Sequence, residues 1–237
     1  MKDKNLELMI KGHEIWIENS SIDNKHVKLS LMFGHNMTQD GAADKERFLA
    51  TVYNPDKNSS AIEIMKDDDH LYLEFITEKK GYYTVIAEMG VVIVSLSEQG
   101  HFIGPKFQYK DVTYAGAFHQ MAKKIIKYGE TTEYHPEPIH GIFEAVPDLP
   151  YCNAGESINF SVYYEGKPIA SADVKAISKA EGKEIIATKT DERGKASIPI
   201  NSAGEWMILA KHADPTKRVS EEFDESVFVC TYVFEAG

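Results

Sequence analysis

Apolar and polar residues alternate through most of this chain, the period-two signature of strands buried on one face. In the first half the alternation predicts strands at 13–18, 26–35, 48–54, 61–65, 71–76, 82–88 and 91–96. Asn54-Pro55-Asp56 and Asp67-Asp68-Asp69 read as turns, because Asn and Asp side chains bond their own backbone there. One stretch breaks the rhythm. Phe118, Met121, Ala122, Ile125 and Ile126 recur at helical spacing and Gly129 supplies a stop, so residues 115–128 are predicted to form one amphipathic helix. Tyr134-His135-Pro136-Glu137-Pro138 is too proline-rich for a central strand and reads as a connector. Beyond it strands are predicted at 142–146, 157–164, 172–178, 184–191, 196–200, 205–212 and 227–234, with turns at Glu165-Gly166, Glu181-Gly182, Glu192-Arg193-Gly194 and Ala203-Gly204. About seven short strands in this length suit an immunoglobulin-like sandwich. Cys152 and Cys230 lack the arrangement around a central Trp that a true immunoglobulin domain carries. The expected fold is therefore all-β, with two sandwich-like domains, 1–140 and 141–237, the first holding the helix.

Charge narrows the function. Twenty-six Lys and Arg against 37 Asp and Glu give a net charge of −11, which repels phosphate backbones and anionic headgroups. The densest basic stretch, Lys123-Lys124 with Lys127, reads as one face of the predicted helix, so no nucleic-acid partner is expected. No run approaches the roughly 18 apolar residues that cross a bilayer as a helix. Residues 1–12 have no apolar core segment, and no signal peptide is expected in this chain. The two cysteines fit neither a zinc knuckle nor a redox pair, leaving one disulfide or two buried thiols.

Catalytic signatures are missing: no glycine-rich phosphate loop, G-x-S-x-G elbow, H-E-x-x-H or EF-hand loop occurs, and no enzyme activity is expected. The histidines carry more information. Alternation places His13 with Ile15 and Ile17, His35 with Leu29, Leu31 and Phe33, and His212 with Trp206, Ile208 and Ala210. Three times a histidine ends an apolar stripe. If the first two strands pair antiparallel with Ile15 opposite Phe33, His13 faces His35 at about 4.5–5.5 Å between Cα or Cβ atoms. Two neutral imidazoles at that separation suit zinc, copper, nickel or cobalt, and His212 would complete a facial set. The competing reading is a half-buried histidine at each strand end, and a one-residue slip would send His13 and His35 to opposite faces. His135 and His140, flanking Pro-Glu-Pro, form a second candidate pair. Asp67-Asp68-Asp69-His70 reads as a solvated turn, and His26, His101 and His119 as ordinary surface or helix residues.

His13-Glu14-Ile15-Trp16-Ile17-Glu18 and Phe33-Gly34-His35 resemble the opening motifs of the DUF4198 family. Ala122-Lys123-Lys124, Gly141-Ile142-Phe143-Glu144-Ala145-Val146-Pro147, Gly166-Lys167-Pro168-Ile169, Thr190-Asp191-Glu192-Arg193-Gly194-Lys195 and Gly204-Glu205-Trp206 through His212 continue the match in order. The later motifs also resemble carboxypeptidase-regulatory-like sandwiches. Members of the family are often described as periplasmic components of cobalt and nickel uptake systems. The resemblance therefore implies an extracytoplasmic β-sandwich that binds a divalent transition metal and serves a membrane transporter. It implies His13 and His35 as ligands, with His212 at the matching third motif. Trp16 and Trp206 are then expected as an apolar shell, and Glu14 as a carboxylate that orients an imidazole. The alternative is a non-catalytic module that binds a glycan or protein partner through Tyr82-Tyr83, Tyr151 and Tyr163-Tyr164. A metal-dependent hydrolase on the same histidines is a further alternative without a base or nucleophile signature.

Overall fold

A computed structural model describes residues 13–39, 44–68, 70–130 and 133–237. The reading of residues 1–12, and Asp69 of the acidic turn, lie outside the described residues. The strands of the first half are β1 (Glu14–Asp23), β2 (His26–His35), β3 (Thr38–Gln39), β4 (Phe48–Tyr53), β5 (Ser59–Ala61), β6 (Ile64–Asp67), β7 (His70–Ile76), β8 (Gly81–Ser97), β9 (Gly100–Ile103) and β10 (Val112–Tyr128). Those of the second half are β11 (Phe143–Pro147), β12 (Ser157–Tyr164), β13 (Lys167–Pro168), β14 (Asp173–Ser178), β15 (Lys183–Lys189), β16 (Lys195–Pro199), β17 (Gly204–Asp214) and β18 (Glu225–Ala236). Two single 3-10 turns, Lys45–Arg47 and Lys106–Gln108, are the helical elements among the described residues. The chain is all-β, and no helix described is long and apolar enough to cross a membrane.

A nine-stranded sheet, ordered β15-β14-β17-β18-β10-β8-β4-β5 with β9 on β8, forms the middle of the molecule. β10 and β18 run parallel inside it, so segments 1–140 and 141–237 share this sheet. On one face lies the β11-β12-β13 sheet with β16, enclosing Phe143, Phe160, Ile198, Trp206, Ile208, Phe228 and Tyr232. On the other lies the β1-β2-β7-β6 sheet with β3. That sheet packs Ile15, Leu29 and Leu73 on Val85 and Ala87, and Trp16 and Met37 on Met207 and Leu209. Burial of these side chains, at about 25 cal/mol per Å² of apolar surface, is the main stabilising term.

β1 is buried on both faces because its free edge meets the β10–β18 seam. Thr231 Oγ1 donates to the Ile15 carbonyl at 2.6 Å, and Gln120 Nε2 donates to the His13 carbonyl at 2.8 Å. These side-chain donors satisfy backbone acceptors that an edge strand would otherwise leave to solvent. Ile15 and Ile17 enter one core cluster while Trp16 enters another. Trp16 Nε1 donates to Glu18 Oε1 at 2.7 Å, and Lys179 joins Glu18 to Glu205.

The helix expected at 115–128 is instead β10, a 17-residue strand. β8 and β18 flank it, and it is covered above and below: Met121 faces one core cluster, Ala122 and Ile126 the other. A strand buried on both faces reads as a continuous apolar run, and periodicity cannot separate that run from a helix. Lys123 and Lys124 look like a polar helix face but are 2% and 4% exposed. Lys123 Nζ meets Glu144 Oε1 at 2.5 Å, and the other Glu144 oxygen accepts the Ile139 and His140 backbone N–H groups. Strands predicted separately at 82–88 and 91–96 are the single strand β8. Cys152 and Cys230 are buried free thiols.

Candidate metal centre at the β1–β2 hairpin

β1 and β2 pair antiparallel with Ile15 opposite Phe33, the register expected from the sequence. Glu14 pairs with Gly34, and one further step sets His13 opposite His35. Their ring centroids lie 4.2 Å apart, and the His13 ring stacks on Phe33 at 4.5 Å with a 6° interplanar angle. Both histidines are half-buried. β2 turns at Asn36 and Met37, whose positive φ values of 50° and 60° reverse the chain directly after His35. The Asn36 N–H donates to Glu14 Oε2 at 2.9 Å, tying that turn to β1.

Glu14 leaves β1 on the side away from His13, as alternation requires, and with His35 it borders a cavity of about 750 Å³ against β14, β15 and β17. Burial pushes its carboxyl up to about 7, against the lowering effect of the Asn36 N–H and of Lys175. Lys211, on the far wall, is held below the ordinary lysine value by burial, against the raising effect of Asp173 and Glu225. Two imidazoles and a carboxyl that titrates near neutrality thus occupy one end of the hairpin. Their neutral nitrogens are borderline-soft donors of the kind that nickel, cobalt and zinc take.

His212 does not join them. It projects from β17 on the face of Trp206, Ile208 and Ala210, beside Tyr164 at 4.7 Å and Phe143 at 6.3 Å between ring centroids. His13 and His35 sit over the opposite face of the nine-stranded sheet, where Met207 and Leu209 point. Alternation assigned His212 to the correct stripe of its own strand, but that stripe faces β11 and β12. Burial lowers the His212 pKa, against Asp214 and Glu225. Trp206 shares its side, fully buried with Nε1 on the Ser202 carbonyl at 3.0 Å, so it is no neighbour of the hairpin. Among the described residues no three His, Cys, Asp or Glu side chains gather into a metal-holding group. His13 and His35 form a pair of neighbouring imidazoles.

The other histidines divide. His135 is exposed, whereas His140 Nε2 lies 3.0 Å from Glu88 Oε1. His119, expected on a helix or the surface, is half-buried in β10 and stacks on Phe228 at 4.7 Å. The Glu88–His140 contact spans 52 positions and leaves no local signal in the sequence. Of the tyrosines considered for a glycan or protein partner, Tyr83 is 4% exposed and its hydroxyl accepts from the Glu78 and Lys79 backbone. Tyr164 donates to Asp214 at 2.7 Å. Tyr151 stands free at 56% exposure.

Known proteins add a family. The chain is similar to the D0–D1 domain of Intimin, with 11% identity over 94% of this chain and 97% of that one, at a TM-score of 0.24. A two-domain fibronectin type-III segment of chicken tenascin matches at 14% identity over 95% and 98%, with a TM-score of 0.25. A DUF4785 protein of Legionella pneumophila matches at 8% identity and a TM-score of 0.29, over 82% of this chain and 50% of that one. No curated protein matches the chain. The family model described as "Domain of unknown function (DUF4198)" matches residues 10–214, a span that includes His13, His35 and His212, and the chain belongs to that family.

Proposed function

We propose that this protein binds a divalent transition metal ion outside the cytoplasm, nickel or cobalt before zinc, and hands it to a membrane uptake system. The observation that carries the reading is the 4.2 Å approach of the His13 and His35 rings. Two imidazoles fixed across a hairpin lose little freedom on capture, and the stack on Phe33 holds the first of them. Water or a second molecule's donors complete the coordination shell, since the hairpin supplies two protein nitrogens. An open shell suits a carrier, because cargo held by few protein ligands can leave. Glu14 steadies the turn after His35 through Asn36 and thereby the position of the second ring.

The test is calorimetric titration of chelator-stripped protein with nickel, cobalt and zinc, beside a His13→Ala/His35→Ala variant. Stoichiometric binding that disappears in the variant supports the reading. Binding that survives the double substitution, or no binding to the parent chain, rejects it.

A further inference from the structure

Among the described residues, two buried side-chain atoms have no hydrogen-bond partner: Gln120 Oε1 and His140 Nδ1. Both belong to side chains that line one cavity of about 440 Å³, bordered by β4, β8, β10 and β18. Each such atom destabilises the fold when nothing meets it. Two in a single cavity are the mark of a site shaped around something that meets them.

Both side chains are fixed from behind. Gln120 Nε2 donates to the His13 carbonyl at 2.8 Å, which leaves its buried oxygen as the unmet function. His140 Nε2 donates to Glu88 Oε1 at 3.0 Å, and its backbone N–H is held by Glu144 at 2.9 Å. A carboxylate only accepts, so the Glu88 contact keeps a proton on Nε2 and leaves Nδ1 as the ring nitrogen without a partner. Most of the remaining wall is apolar and aromatic, with Phe48, Met89, Phe143 and Phe228, the last carrying the stacked His119 ring, while Glu46 and Arg47 add one charge of each sign. At the rim Leu49, Val91 and Ile142 are 74%, 54% and 49% exposed, a collar of aliphatic surface that water alone does not favour.

We propose that this cavity binds a small neutral organic molecule whose apolar body carries both a hydrogen-bond donor and an acceptor, as a primary amide or a hydroxyl does. The Gln120 oxygen accepts only, so the ligand must donate to it. His140 Nδ1 takes either role according to protonation, and a group with both functions satisfies it in each state. A carboxylate cannot donate to Gln120, and on the wall Glu46 and Glu88 outnumber the single Arg47. A bare inorganic ion would leave the aromatic wall and the collar uncovered. The volume falls in the range of small-ligand pockets, about 300–1,000 Å³. This site uses neither the His13 nor the His35 side chain, so it stands or falls apart from the metal reading.

The experiment is an NMR titration of the full chain with benzamide, benzylamine, benzoate and toluene, following the Gln120 side-chain amide and the His140 ring. Benzamide is expected to shift both signals saturably and to bind about tenfold more tightly than toluene, the discrimination expected where a buried polar group would otherwise stay unpaired. In Gln120→Met, checked for an unchanged cooperative melt, that preference should shrink to about twofold or less. A second substitution, Phe228→Ala, removes part of the apolar wall and should weaken benzamide and toluene alike. Saturable shifts of these two residues by benzamide, with that ranking, support the site. Absence of saturable shifts up to the solubility limit, tighter binding of benzoate or benzylamine, or equal binding of toluene overturns it.

Discussion

His13 stands opposite His35 because β1 carries one residue more than β2 between the hairpin turn and the ring pair. Near the turn Ser21 pairs with Lys28, Ile22 with Val27 and Asp23 with His26. A bulge between Asn19 and Ser21 then shifts the register, so that Asn19 pairs with Leu29 and Ile15 with Phe33. Continued without the bulge, the same turn would place Ile15 opposite Gly34 and His13 opposite Asn36. One extra residue re-aims everything beyond it, the usual effect of a bulge. The hairpin turns on Asn24, whose φ of 52° an asparagine tolerates well.

Metal binding through this pair has a defined pH dependence. Only the neutral imidazole binds, so affinity should fall as pH drops and protons compete for the rings, with up to two protons released per metal captured. Titration with nickel at about pH 7.5 and pH 5.5 is expected to show a loss of tenfold or more. His212→Ala should leave the affinity unchanged at both values, because that ring lies across the central sheet. An affinity indifferent to pH, or one that depends on His212, would remove the hairpin from the mechanism.

How far the sequence speaks for itself depends on what covers each strand. β2 and β12 were legible to the residue, because alternation with one buried face states both ends. β10 was not, because burial on both faces erases the period that distinguishes strand from helix. The His13–His35 pair was legible since both residues lie on one hairpin, where register follows from local pattern. The placement of His212 was not: alternation gives the face of its own strand but not which sheet covers that face. Gln120, Glu88 and Glu144 acquire their roles from partners 107, 52 and 21 positions away, and nothing near them in the chain announces it.

The Glu88–His140 contact should contribute to stability within a window of pH. The hydrogen bond to Glu88 raises the His140 pKa above 6.5, with Glu144 adding and burial and Lys123 opposing. That contribution is complete below the unfolded value and fades as pH rises through the folded one. The same bond lowers the Glu88 pKa below 4.5, so its share is complete above that value and fades as pH falls further. Both shares are present between the two ordinary values, 4.5 and 6.5. A cycle of Glu88→Gln and His140→Gln should give about 0.5–1 kcal/mol of coupling at about pH 5.5, modest because Glu88 is partly exposed. At about pH 9 the coupling should fall to the smaller value of a neutral Nε2–H donor on the Glu88 carboxylate. Equal coupling at the two values would mean a neutral hydrogen bond without the ionic component.

The two thiols are predicted to be inert. Burial pushes Cys230 up to about 12 and raises Cys152 also, which leaves almost no thiolate at neutral pH. Cys230 is fully buried in β18 and Cys152 is 5% exposed. Ellman's reagent should titrate no thiol in the native chain and two after denaturation. A rapidly reacting native thiol would show that the β18 end of the core opens.

Lys123 and Glu144 present the sharpest stability test in the molecule. They are 2% and 1% exposed, and taking two charges out of water costs several kcal/mol per ion before their attraction returns it. Removing one partner leaves the other charged and alone, so Lys123→Met or Glu144→Leu is each expected to cost about 3–5 kcal/mol by chemical denaturation. Combining them restores an apolar contact between β10 and β11 and should recover much of that loss. Recovery should stop short of the parent chain, because Glu144 also accepts the Ile139 and His140 N–H groups, and those donors remain unmet in the double variant. Glu144→Gln separates the two roles: it keeps an acceptor for the backbone and for Lys123 while removing the charge, so it should cost less than Glu144→Leu. A strictly additive double variant would show that the two side chains do not depend on one another. The bridge from the connector into the central sheet would then rest on the backbone bonds alone.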